Sequence, residues 1–142
     1  MTDALPDAAT EFGRRVRRRL REEVVVWLTS VGADGSPQPN PVWFVWDDDG
    51  FLVYNRPDAY RLQHVRWRPR VSLHFDGDGD GGDIVVFTGL AEIVEGEPPS
   101  HARPDYVAKY GKRMVRVSGS REEFSRQYSV ALRVRRLKVR GF

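Results

Sequence analysis

The chain has 142 residues, enough for one domain that buries roughly two-thirds of its unfolded surface and too few for two ordinary ones. It has no cysteine, which excludes disulfides, a thiolate nucleophile and a thiolate metal site, and suits a reducing compartment. The net charge is only +3, no apolar run approaches a membrane span, and MTDALPDAATEFG lacks the basic start and apolar stretch of a signal peptide, so a single cytoplasmic domain over 1–142 with no membrane partner is expected. All basic residues are arginine except Lys109, Lys112 and Lys138, a skew that suggests a GC-rich genome.

Phe12, Val16 and Leu20 lie four apart and predict a helix over about 8–21, its apolar stripe inward and its arginines in water. Six arginines between 14 and 21 are a possible nucleic-acid contact, but Asp3, Asp7, Glu11, Glu22 and Glu23 partly cancel their field, and a solvated face is expected instead. A barrel of strands then fills about 23–142. Glu23–Val31 is apolar at successive positions and reads as its first strand. Pro37, Pro39 and Pro41 cannot donate ladder bonds, so this segment is expected to pair incompletely and to leave backbone groups for a ligand. Val42–Trp46, all β-branched or aromatic, predicts a strand buried on both faces. Asp47–Gly50 turns the chain into Phe51–Tyr54, its antiparallel neighbour.

In Asn55-Arg56-Pro57-Asp58-Ala59-Tyr60-Arg61, Asp58 is a candidate cap for a helix running to about Arg68, with Ala59, Leu62, Val65 and His64 toward the sheet. Arg56 and Arg61 then flank a helix N-terminus, a favourable place for a phosphate. After a strand over Val71–Phe75, the run Asp76–Asp83 imitates a calcium loop, but Phe87 stands where the bidentate Glu belongs. It also spells GxGxxG, yet opens no helix and carries four aspartates, so a mobile hairpin connection is expected. A long strand follows over Ile84–Glu95. A helix over Pro104–Tyr110 ends at Gly111, and a capping box at Ser120 starts another. In the last strand, Ser129–Arg140, the apolar parity switches at Arg136, which predicts a bulge.

His64, His74 and His101 lie on different elements without ligand spacing, so no metal site is expected. There is no G-x-S-x-G elbow, and Ser118-Gly119-Ser120 sits at a helix start, where serine caps are common. No catalytic side chain is assigned; chemistry would come from a bound cofactor.

Gly35-Ser36-Pro37-Gln38-Pro39-Asn40-Pro41-Val42-Trp43-Phe44, then Asn55-Arg56-Pro57, then Arg66-Trp67-Arg68-Pro69-Arg70-Val71-Ser72-Leu73 resemble, in that order, the pyridoxamine 5'-phosphate oxidase-like family. The likeness runs from about Trp27 to Val94 and is strongest to an actinobacterial branch of coenzyme F420-dependent enzymes, in which an HFDGDG-type loop also occurs. The resemblance implies a mainly β fold, a six-stranded antiparallel split barrel with peripheral helices. It also implies a homodimer with F420 or FMN in a groove between subunits, and an oxidoreductase passing a hydride to a small unsaturated or conjugated molecule. An FMN enzyme, or a non-catalytic flavin- or haem-binding protein, is the alternative. The cofactor phosphate would fall on Arg61, where many relatives carry lysine, and the strand Asn40, Pro41, Val42, Trp43 would run beside the ring with its N–H groups polarising it. Tyr54, Asn55 and Arg56 complete the expected set.

Overall fold

A computed structural model describes residues 5–142, so Asp3 lies outside the described residues. The elements in order are α1 (Glu11–Glu22), β1 (Val26–Val31), β2 (Pro37–Val42), β3 (Val45–Asp47), β4 (Gly50–Asn55), α2 (Tyr60–Trp67), β5 (Arg70–His74), β6 (Val85–Val94), α3 (Pro104–Ser118), α4 (Arg121–Gln127) and β7 (Val130–Gly141). Seven strands, one more than expected, form one antiparallel sheet in the order β2-β1-β5-β6-β7-β4-β3. No helix among the described residues is long and apolar enough to cross a membrane.

The sheet order puts β2 and β3 on opposite edges, although only Trp43 and Phe44 separate them in sequence. The sheet therefore curls until its edges are one short step apart, and the expected single strand Val42–Trp46 is broken at that corner. A buried hydroxyl holds the break. Tyr110 Oη accepts from Phe44 N–H at 2.9 Å and donates to Val24 O at 2.6 Å, while Phe44 O accepts from Lys109 Nζ at 3.1 Å. The Phe44 N–H and O and the Val24 O thus find partners on α3, as buried polar groups require.

The strand buried on both faces is β4, not Val42–Trp46. Phe51 and Val53 enter the barrel core with Phe44, Leu73 and Phe87, and Leu52 and Tyr54 enter a second core with Tyr106, Tyr110 and Phe124 under α3 and α4.

The proline segment does not pair incompletely: all of Pro37–Val42 lies in register with β1. Prolines at every second position explain it, since neighbours alternate between facing the partner strand and facing away. Gln38, Asn40 and Val42 exchange bonds with Ser30, Leu28 and Val26, and the positions that lack N–H face the open edge. That edge offers only carbonyls, so no further strand can add to it.

Other expectations shift for local reasons. Helix α2 begins later than predicted, capped by Ala59 without a side-chain bond, and Asp58 is exposed. Helix α3 runs through Gly111, whose added Cβ would lie 3.0 Å from the Arg121 guanidinium, and stops at Gly119 with φ 90°. Ser120 caps α4 through Glu123 N–H at 3.0 Å. The bulge is present: Thr88 faces Lys138 but Leu90 faces Arg135, and Arg136 takes φ 55°. The arginines of α1 do not all face water, because Arg15 pairs with Asp83 and buried Arg19 bonds Asp76 O and Asp83. The aspartate-glycine run is a tied loop, with Asp78 accepting from Asp80 and Gly82 N–H.

Buried Arg133 on β7 binds Asp47 at 2.7 and 3.0 Å and Glu97 at 2.9 Å, and Arg103 reaches both acids at 3.2 Å. Burial alone would raise the Asp47 carboxyl, but Arg133, the Asp49 N–H and Arg103 outweigh it and hold it below its ordinary value. A depressed carboxyl stabilises fully above its unfolded value, near ~3.9, and its contribution disappears as pH falls through the folded value.

Two stability measurements check this account. Tyr110→Phe leaves Phe44 N–H and Val24 O buried without their partner and should cost about 3 kcal/mol in urea unfolding at pH 7; a loss below about 1 kcal/mol would show the corner to be held by packing alone. Asp47→Asn should cost about 2 kcal/mol at pH 7, and that cost should shrink progressively as pH falls below ~3.9, where the wild type loses the same contribution; a pH-independent cost would contradict the ion-pair account.

Candidate functional site

Where the chain leaves β2 at the corner, a cavity of about 250 Å³ opens between β4, the start of α2 and the α3–α4 pair. Five of the eight expected binding residues line it: Pro41, Val42, Trp43, Tyr54 and Arg61. Its walls are rings. Trp43 stacks on Tyr110 at 4.8 Å and on Phe124 at 5.3 Å, and Phe124 stacks on Tyr128 at 4.4 Å. Arg56 does not line the cavity but sits with its guanidinium 5.1 Å over Tyr128, at the end of that stack.

Arg61 is the one cation lining the cavity. It is half-buried, its Nε is fully buried, and among the described residues no hydrogen bond or ion pair reaches it. Burial accordingly pushes its guanidinium below the ordinary value. An arginine buried without a partner costs stability, and an anion in the cavity would remove that cost.

The remaining expected residues are placed differently. Asn40 is exposed on β2, outside the cavity lining. Asn55 is 2 % exposed and ties β4 to β7, its Nδ2 donating to Val53 O and Val130 O at 3.0 Å, while its Oδ1 has no partner. The expectation that N–H groups from Asn40 to Trp43 face a ring needs correction: those of Asn40 and Val42 are spent on β1, and Pro41 has none. Only the Trp43 N–H is left, next to the Pro41 carbonyl. Tyr54 is no proton donor to a ligand, because its hydroxyl donates to Pro98 O at 2.5 Å and burial pushes its pKa up to about 12.

Sequence reasoning missed the opposite wall, Tyr106, Val117, Phe124 and Tyr128, having read this region only as two helices with no part in the site. The available signal was the spacing of Ser120, Phe124 and Tyr128, which puts both rings on the face that starts at the cap.

A curled antiparallel sheet with peripheral helices and a ring-walled cavity at its seam is a split barrel. The family model for pyridoxamine 5'-phosphate oxidase matches residues 12–140, and the chain belongs to that family. No curated protein sequence matches it. Among solved structures it is similar to HutZ, the haem storage protein of Vibrio cholerae (TM-score 0.63, 20% identity, 91% of this chain and 94% of that one). It is similar also to Rv2991 of Mycobacterium tuberculosis (0.65, 18%, 98% and 88%) and to an F420 reductase (0.56, 18%, 86% and 94%).

The unpartnered guanidinium makes a stability prediction. Arg61→Met should raise the urea stability of the ligand-free protein by about 1 kcal/mol, since it removes a buried polar group that has no partner; a loss of stability would mean that Arg61 serves the fold and not a ligand.

Proposed function

We propose that this chain is an oxidoreductase that binds coenzyme F420 and passes a hydride between it and a small unsaturated or conjugated molecule. The observation that carries the reading is Arg61, a half-buried cation without a partner among the described residues, facing a cavity lined by five aromatic rings. The deazaflavin supplies the hydride chemistry when bound. The chain's own residues bind and orient: Arg61 takes the phosphate, Arg56 assists from the rim, the edges of the stacked Trp43, Phe124 and Tyr128 rings wall the cavity, and Trp43 N–H and Pro41 O meet polar atoms on the ring edge. FMN presents the same phosphate and a similar ring. Haem is less well supported, because among the described residues no His, Cys or Met lines the cavity, which leaves only tyrosine as an axial ligand.

The volume of about 250 Å³ is below the ~300 Å³ at which ligand pockets usually begin. A second copy would complete the site, and the apolar surface at Val117 on the rim (53% exposed) and at Trp67 (79%) supports a homodimer. Sedimentation at micromolar concentration should show a dimer; a monomer would rule the shared groove out.

Titration of the apoprotein with F420, FMN and haem should show F420 bound most tightly. Arg61→Ala should weaken F420 binding about tenfold to a hundredfold, the worth of one charge-assisted hydrogen bond, and weaken the phosphate-free deazaflavin much less. Unchanged affinity, or equal weakening of both forms, would place the phosphate elsewhere.

A further inference from the structure

A second cavity of about 730 Å³ lies between α1, β3 and α3 and shares no lining residue with the first. It falls within the ~300–1,000 Å³ range of small-molecule pockets. Leu20, Val45, Trp46 and Ala108 supply apolar walls, and Lys109 enters from α3.

Lys109 is placed unlike an ordinary surface lysine. Its Nζ lies 3.7 Å from the centroid of the Phe44 ring and donates to Phe44 O at 3.1 Å, and no carboxylate is in ion-pair contact with it among the described residues. The charged groups around it are Arg17, Arg21 and Glu23 on and after α1, Asp47 and Asp48 on and after β3, and Asp105 on α3 itself. Asp47 is held by Arg133 and Arg103, and Asp105 by Arg103. Burial outweighs the opposing pull of Glu23 and Asp105 and lowers the ammonium to about 8. A neutral lysine amine that faces a cavity is a nucleophile. Phe44 O binds one N–H, which leaves the nitrogen lone pair available to the cavity once a proton has gone.

We propose that Lys109 is a reactive amine that condenses with small aldehydes entering this cavity. The amine nitrogen adds to the carbonyl carbon, the carbonyl oxygen takes up a proton and the nitrogen loses one, giving a carbinolamine. Loss of water then leaves an imine, with no change of oxidation state. The step needs no residue of the ring-walled cavity, so it stands or falls independently of the F420 reading.

The chain supplies its own controls, since Lys112 and Lys138 are its other lysines and both are exposed. The full-length protein is treated with propionaldehyde and cyanoborohydride at pH ~7.5, and alkylation is mapped by peptide, with the N-terminal amine scored separately. Lys109 should be labelled at least about tenfold faster than Lys112 and Lys138, with a rate that levels off above pH ~8, while ordinary lysines keep climbing toward ~10.4. The preference should vanish in urea. Lys109→Arg keeps the charge and a donor for Phe44 O; it should fold, lose the fast reaction and leave the other two rates unchanged. Labelling of Lys109 at or below the rate of its controls, or a rate still rising beyond pH ~9, would overturn the proposal and leave Lys109 a structural donor.

Discussion

One hydroxyl hydrogen limits how this barrel can close. At the corner between β2 and β3 the chain exposes an N–H and two carbonyls that no strand can satisfy, and Tyr110 Oη has a single proton to give. The shorter bond, to Val24 O, takes that proton, so Phe44 O depends on Lys109. The two consecutive residues of α3 therefore work as a unit, one supplying an acceptor and a proton, the other a second donor. The same constraint builds the candidate site. With Phe44 pinned and turned into the barrel core, Trp43 must turn outward, where Tyr110 and Phe124 stack on it. Closure of the barrel and the first wall of the cavity are two results of one short segment.

Period and composition made most of the strands legible. The hairpin from Asp47 to Gly50, the parity switch at Arg136 and the serine cap of α4 could all be read because each depends on neighbours within a few residues. The break at Trp43 and Phe44 could not, because the partner that stabilises it is 66 residues away. The reading of Gly111 failed for the same reason: locally it looks like a helix stop, and only the approach of Arg121 shows why a side chain is missing there. On the site side, Arg61 and Trp43 were found through a family likeness and a helix start, whereas Tyr106, Phe124 and Tyr128 lie outside the motifs that carried that likeness and reach the cavity only by tertiary packing.

The alternating prolines of β2 show how a wrong inference can use the right chemistry. Three missing donors do weaken a central strand, and the expectation of incomplete pairing followed from that. Spaced by two, however, they all fall on one side, and at an edge that side has no ladder to lose. The cost is moved to the open edge, where the strand offers carbonyls up to Pro41 and the chain its first free N–H at Trp43. A ring lying there would meet donors and acceptors in a fixed order that side-chain substitutions on β2 could not change.

Two arginines show where this protein has kept charge for a purpose. Arg133 and Arg61 are both removed from water, and desolvation disfavours the charged form of each. Arg133 has two carboxylates within hydrogen-bond distance, and they outweigh its burial, raising its pKa. Arg61 has none, although aspartates and glutamates make up 20 of the 142 residues and the chain brings them to most of its other buried cations. The fold pairs Arg15, Arg19, Arg103 and Arg133 with acids and leaves Arg61 without one in a cavity of rings, the position at which an anion would remove a desolvation cost that the chain itself does not offset.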